Sequence, residues 1–374
     1  MIAIQGHNIF TGAGFGSEAV YSSAREGRTD LARREGTFGV PEPFMASLID
    51  RSLIDGMFGG RRGGSRLSHL EKAMILSAED AIAMAGIDPS DKGTLFIISS
   101  TKGNVEFLEN DPSGMGDEVS LWHSAKEVAS YFGNPNEPVC VTNACTSGIC
   151  AQIAAMRSIA GGRYSTAVVI GADFLSKFIV AGFQSLKALS PERCRPFDAA
   201  RCGLNLSEAV GTIVFSENGN GIGIGLERGC IRNDANHISA PSRTAVGQIA
   251  AIKGVLDEQT CSDIAFINVH GTATNYNDSM ESVAIHGVGL DDVPAVSYKS
   301  MFGHTLGAAG VIETVISSLS LLDGIVLPTA GYETCGVPYP VSLGAETRAV
   351  KGNHFLKIMS GFGGINAATL YRKL

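Results

Sequence analysis

Val139–Cys150, VCVTNACTSGIC, joins two patterns at one cysteine. Upstream, Pro138–Thr142 (PVCVT) is a short β-branched and apolar run that predicts a buried strand. Downstream, Ser147–Ile159 is apolar in long succession and predicts a helix. Only small residues separate them, so Cys145 is expected on a tight strand-to-helix elbow. The N-terminus of the following helix offers N–H groups to an oxyanion there and is expected to lower the thiol's pKa. Cys140, inside the strand, and Cys150, inside the helix, are expected to be small buried hydrophobes.

Working outward, Thr94–Ser99 (TLFIIS) and Ala167–Ile170 (AVVI) predict further strands, and Ser65–Gly86 and Val119–Phe132 predict helices. The first forty residues are turn-rich, with one short strand expected at Met1–Gln5 and loops after it. A glycine-rich stretch at Asn218–Gly225 (NGNGIGIG) predicts a junction between two halves, 1–217 and 218–374. Beyond it the spacing predicts strands at Ile264–Val269, Ala295–Ser297, Phe355–Met359 and Ala367–Tyr371, with helices at Ala245–Leu256, Met280–His286 and Ala308–Leu322. Strands alternating with helices imply an α/β fold with crossover connections and a mainly parallel, buried sheet. Each half carries a strand, a short polar loop and an apolar helix in similar order, the mark of an old internal duplication.

Bulk properties agree with a large packed enzyme. At 374 residues the chain exceeds the roughly 250–300 at which a single core stops growing. Hydrophobic residues form 44% of it against 18% charged, far from the balance of a disordered chain. The net charge is −8 and the basic residues form no long run, which argues against nucleic acid as a partner. No apolar run reaches about 18 residues and the N-terminus lacks a secretory layout, so a cytoplasmic protein without a membrane span is expected. The eight cysteines include no C-x-x-C pair, and most are expected to be buried.

Two more strand-to-loop junctions carry reactive side chains. In INVHGTATNYN (267–277) a buried strand ends at His270. In SYKSMFGHTLGAAG (297–310) a glycine-rich turn carries Lys299 and His304 just before an apolar helix. A cysteine with two histidines fits proteolysis poorly, since that chemistry uses one histidine oriented by an acid or amide. Two imidazoles donating to one oxygen fit the enolate formed when a malonyl thioester loses carbon dioxide, and the acyl-cysteine then receives that carbanion. A metal site built from short-range pairs such as C-x-x-C or H-x-x-x-H is absent from the sequence, so none is expected. His7, His69, His123, His237, His286 and His354 lack such settings and are expected to be structural or surface groups.

These segments, in order along the chain, resemble the β-ketoacyl synthase family of the thiolase superfamily, in its elongating branch with two catalytic histidines. The resemblance rests on NACTSG (143–148), PFDAARCGLNLSEAVGTIVFSE (196–217), NDANHISAP (233–241), VHGTATNYND (269–278), KSMFGHTLGAAG (299–310) and SGFGGINA (360–367). It implies a five-layered αβαβα fold of two pseudo-symmetric halves, and a homodimer or a heterodimer with a related subunit. It also implies decarboxylative Claisen condensation on an acyl carrier protein. No cofactor is permanently bound, the phosphopantetheine arm arriving on the carrier. Carried over by position, Cys145 is acylated, and its N–H with that of Phe362 forms the oxyanion hole. His270 and His304 stabilise the enolate and assist decarboxylation, while Lys299 and Glu313 support them. Thr272 and Thr274 bind the pantetheine arm. Phe183 and Phe362 resemble gate residues, ordinary packing being the alternative for both. Ser207 stands where the family pattern has glycine, and the N-terminal region and the 217–225 junction look short for an elongating synthase. A basic patch from Arg61, Arg62 and Arg66 with Arg193, Arg195 and Arg201 is the candidate carrier surface, the alternative being a solvated cluster.

Other readings are a non-catalytic partner that sets chain length, a starter-type synthase and a degradative thiolase. The first characteristically lacks the nucleophile that Cys145 provides. The others call for an asparagine in place of one histidine, or a second catalytic cysteine, where this chain has His304 and GFGGINA.

Overall fold

The computed structural model describes residues 1–64, 66–110 and 116–374. Ser65, the expected start of the first long helix, lies outside them. The helix itself runs His69–Ala85 (α1), opened by a reciprocal capping box between Ser68 and Glu71 and closed by Gly86 in the left-handed conformation.

Ten strands form the path of the main sheet: β1 (Ile2–Thr11), β2 (Thr94–Ser99), β3 (Val139–Val141), β4 (Thr166–Asp173) and β5 (Ala209–Ser216) in the first half. β6 (Ile224–Asn233), β7 (Ile264–Asn268), β8 (Ala295–Val296), β9 (His354–Gly361) and β10 (Ile365–Lys373) form the second. Their spatial order is β8-β7-β9-β10-β6-β1-β5-β4-β2-β3. Read from each outer edge inward, the two halves have the same order and the same strand directions. They meet where β1 pairs with β6 at Ile2–Leu226 and Ala3–Gly225. The duplication hinted at by sequence is therefore explicit in topology.

Two apolar helices, α2 (Ser147–Ala160) and α5 (Ala309–Leu322), lie between the halves, α5 being buried from Ala309 through Leu321. Outside the first half sit α1 and the helix Leu121–Tyr131. Outside the second sit α3 (Val246–Lys253) and α4 (Asn275–Gly287). This is the expected five-layered α/β arrangement. The inner core packs Val169, Ile213, Phe215, Val311, Val315, Phe266, Phe355 and Tyr371, with Phe355 stacked on Tyr371 at 4.6 Å.

Two expectations need correction. The sheet is mixed rather than mainly parallel: β2 runs parallel to β3 and β4, and β7 to β8 and β9, but the central pairings from β4 through β9 are antiparallel. Helices cover both faces, so strands such as Thr94–Ser99 and Ile264–Asn268 read as continuous apolar runs that do not reveal their direction. The N-terminal strand is also ten residues long and central, followed by a helix at Ser17–Arg25. Its polar residues disguise it, but they are satisfied inside: His7 Nδ1 lies 2.8 Å from Ser17 Oγ, and Asn8 donates to Asp80 at 2.6 Å.

Candidate active site

The two central helices meet backbone to backbone. A Cβ on Gly310 would stand 2.5 Å from Ile149 N, and one on Gly148 would stand 3.0 Å from both Gly307 O and Val311 N. Because Cys145 precedes α2 and His304 precedes α5, this crossing brings together residues 159 positions apart. His304 Nε2 lies 3.0 Å from Cys145 Sγ.

Cys145 does sit on an elbow. Ala144 takes the left-handed conformation (φ 49°), which a non-glycine residue holds only under constraint. The constraint is visible: Thr146 Oγ1 donates to Asn143 O at 2.7 Å, Ser147 Oγ donates to Ala144 O at 2.6 Å, and Asn143 N donates back to Ser147 Oγ at 2.7 Å. The strand end of β9 closes the other side, where a Cβ on Gly361 would reach 3.3 Å from Cys145 N. A side chain at Gly361 would crowd the elbow at Ala144 and Cys145.

The thiol's electrostatics differ from the expectation. Burial pushes Cys145 up to about 12, against which the helix end and Lys299 do not prevail. The thiol therefore needs a proton acceptor, and His304 is in place. Burial, with Lys299 and Lys357 adding to it, holds His304 well below the usual imidazole range. His270 is lowered in the same way, first by burial and then by Lys299, His304 and Lys357. Both rings are thus neutral, with centroids 5.2 Å apart and planes at 80°.

His270 is held by its backbone. Its N–H and that of Gly271 donate to the two oxygens of Glu281 at 2.6 and 2.7 Å, and Asn277 Nδ2 donates to the same carboxylate at 2.7 Å. Gly271 is required there, since it has φ 50° and a Cβ would meet Ser297 Cβ at 2.6 Å. Thr272 and Thr274 follow with their hydroxyls 2.9 Å apart. Lys299 and Glu313 are paired at 2.5 Å, both buried, and Lys357 binds the other oxygen of Glu313. Phe183 and Phe362 stack on one another. The structure thus brings Cys145, His270, His304, Lys299 and Glu313 together and adds Glu281 and Lys357, which the sequence reading passed over. It also adds Asp173, whose buried carboxylate binds Lys102, Thr101 and Gly307 N, tying the loop after His304 to β4.

Ser207 fits where a glycine is usual. Its N–H donates to His304 O at 3.0 Å, and its Cβ faces Gly303, which has none. Next to it the buried Glu208 binds Arg51 through both oxygens at 2.7 and 2.8 Å.

Three further expectations are revised. Cys140 is exposed, because β3 is an edge strand, and Cys202 and Cys335 are exposed as well. The spacing argument against a metal does not survive folding, since the donor atoms of Cys145, His270 and His304 lie within 4.8 Å of one another. What opposes a dication there is charge: the ammoniums of Lys299 and Lys357 already act on both imidazoles. The arginine patch is largely committed internally. Arg61 pairs with Glu79 and Arg66 with Glu127, Arg62 donates to Tyr131 O, and Arg193 and Arg201 donate to the carbonyls of Ser300 and Gly336. Arg195 reaches only Glu333, at 4.0 Å.

The N-terminal domain of β-ketoacyl synthases matches residues 23–219, more than half of the chain, and the C-terminal domain of the same enzymes matches 226–333. The chain belongs to the β-ketoacyl synthase family. It is 33% identical to a putative polyketide β-ketoacyl synthase of Streptomyces halstedii, over 81% of each chain. To a 3-oxoacyl-[acyl-carrier-protein] synthase 2 of Vibrio harveyi it is 32% identical, over 78% of this chain and 80% of the other. A ketosynthase solved in complex with its chain length factor, from Xenorhabdus doucetiae, has the same fold: TM-score 0.87 at 22% identity, covering 100% of this chain and 98% of that one. The chain is a condensing enzyme of the acyltransferase class with the thiolase-like fold, and no helix of its described residues is long and apolar enough to cross a membrane.

Proposed function

We propose that this ketosynthase takes an acyl group from an acyl carrier protein onto Cys145 and condenses it with a malonyl group on a second carrier. The observation that carries this reading is the 3.0 Å contact between Cys145 Sγ and His304 Nε2, with His270 beside them. In the first half-reaction His304 takes the thiol proton as Sγ attacks the thioester carbonyl. The N–H groups of Cys145 and Phe362 hold the developing oxyanion, and the departing pantetheine sulfur recovers the proton. In the second, the malonyl carbon–carbon bond breaks, carbon dioxide leaves, and the thioester oxygen becomes an enolate held by His270 and His304. The carbanion attacks the acyl-cysteine carbonyl, and the Cys145 sulfur leaves as a thiolate that takes up one proton from solvent by way of His304. Lys299 and Glu313 support the histidines. Thr272 and Thr274 hydrogen-bond the pantetheine arm, which comes with the carrier, so no resident cofactor is needed.

The outer edge of β3 has no partner strand among the described residues, and its Val139 and Cys140 are exposed. A second ketosynthase subunit, identical or related, pairs there. Arg195, whose pairing with Glu333 at 4.0 Å is loose, is the cation offered to the acidic carrier, and the cytoplasm is the compartment. A purely chain-length-setting role would leave the Cys145–His304 contact without a use.

Intact-protein mass spectrometry after incubation with an acyl-carrier thioester tests the proposal. The expected result is one acyl adduct, lost in Cys145→Ala. An adduct that persists in that variant sinks it.

A further inference from the structure

Glu313 is one carboxylate between two ammoniums. Lys299 binds Oε1 and Lys357 binds Oε2, and the side chains of all three are at most 3% exposed. One lysine would neutralise the carboxylate. A second buried cation carries a desolvation cost that its pair alone does not offset, so its presence calls for a reason.

The surroundings of Lys357 are built to receive a charge. It lies on β9 opposite Asn268 of β7 and Thr369 of β10, and residues directly opposite in a sheet share a face. Asn268 Oδ1 and Thr369 Oγ1 are buried acceptors with no partner among the described residues, and an ammonium has three donors to place. Of the acids nearby, Glu281 acts on Lys357 and is raised to about 7 by burial and Asp278, so it does not cancel the charge below that pH. His270, His304 and Cys145 are neutral, as described above.

We propose that Lys357 is a positioning residue that acts through Glu313 and keeps the pocket around His270 and His304 net positive, ready for the malonyl carboxylate and the enolate that follows it. Two ammoniums and one carboxylate leave one positive charge while Glu281 is protonated. That charge favours entry of an anion and disfavours imidazolium, so the histidines stay neutral donors. Glu281 begins to offset that charge as it ionises near pH 7, and burial draws Lys357 down to about 8, with Glu313 opposing, so the bias weakens from pH 7 and is lost above pH 8. The inference rests on the condensing function proposed above.

The test measures malonyl-carrier decarboxylation against pH, and separately Cys145 acylation by mass spectrometry, for the unsubstituted protein, K357M and the double variant E313Q/K357M. K357M should lower decarboxylation tenfold or more at pH 7 and abolish the decline above pH 8, with Cys145 still acylated. The double variant again leaves one net positive charge, on Lys299, and should recover part of the rate. A K357M profile like that of the unsubstituted protein, or a double variant no faster than K357M, overturns the proposal. Should K357M fail to fold, the pH profile of the unsubstituted protein and the rate of the double variant read the same charge, and a flat profile above pH 8 also overturns it. Absence of acylation in the unsubstituted protein would instead overturn the condensing reading.

Discussion

The ring of Phe183 stacks on the ring of Phe362, centroids 6.0 Å apart and planes 22° from parallel. The two come from separate elements: Phe183 from the helix Lys177–Ser185, Phe362 from the turn between β9 and β10. That turn continues through Gly363 and Gly364 at φ 88° and 76°, a conformation that costs glycine little and most other residues much. We propose that this stacked pair is the gate implied by the family resemblance, with the glycine turn as its hinge.

Removing the gate should uncouple the two half-reactions. Phe362→Ala admits malonyl-carrier whether or not Cys145 is acylated, so carbon dioxide release per condensed product should rise several-fold. Measuring carbon dioxide and β-ketoacyl product together checks this, and an unchanged ratio would assign the ring to packing.

The two histidines should separate by half-reaction. Among the described residues His304 is the hydrogen-bond partner of the thiol, and a thiol pushed up to about 12 depends on that acceptor. His304→Ala should slow Cys145 acylation by roughly 10²-fold or more, the usual scale of a positioned base, and also abolish decarboxylation. His270→Ala should abolish decarboxylation while acylation proceeds. Single-turnover acylation and decarboxylation assays on both variants distinguish the roles, and equal acylation rates would contradict them.

The reactive residues were legible because each stands at a strand end before an apolar helix, a local pattern. What sequence could not show is what depends on distance in the chain. Lys357 reads as an ordinary polar interruption of FLKIM, and only the fold reveals that Glu313 lies beside it. The reach of β1 was hidden for a similar reason: His7 and Asn8 find partners in the helix Ser17–Arg25 and in α1, which local hydropathy does not record. Strand direction was lost because burial on both faces erases alternation. The low thiol pKa was expected from the helix end alone, and the depth of burial, a tertiary quantity, reversed its sign.

The buried acids and the buried histidines pull stability in opposite directions with pH. Burial raises Asp278 to about 6, and burial with Asp278 raises Glu281 to about 7. A carboxyl whose pKa is higher in the fold than in the unfolded chain stabilises below the unfolded value and loses that contribution as pH rises through the folded one, whereas the lowered His7, His270 and His304 contribute more as pH rises toward the ordinary imidazole range. The difference between variant and parent isolates one group. Asp278→Asn keeps an acceptor for Phe197 N–H and removes the titration, so its Tm relative to the parent should rise between about pH 4 and pH 6 in thermal denaturation. A difference that does not change with pH would place the titration elsewhere.

The exposed edge of β3 gives a test of assembly. A lysine there repels a second strand, so Val139→Lys should shift the protein toward monomer in sedimentation velocity while each chain stays folded. An unaltered sedimentation coefficient would mean that the subunits meet elsewhere.

The crossing of α2 and α5 makes the last prediction. A methyl on Gly310 would approach Ile149 N to 2.5 Å, and the atom it meets is backbone, which cannot rotate away. The helices must separate, at a cost of about 1–3 kcal/mol for an overpacked core. They also carry Cys145 and His304 at their leading ends, so separation lengthens a contact on which proton transfer depends steeply. Gly310→Ala should therefore lose stability and Cys145 acylation together. Gly56→Ala is the control: it lies within the helix Arg51–Phe58 with nothing within 4 Å of its added methyl, and should gain roughly 0.5–1 kcal/mol with acylation unchanged. If Gly310→Ala acylates as fast as the parent, the helix crossing does not set the distance between sulfur and imidazole.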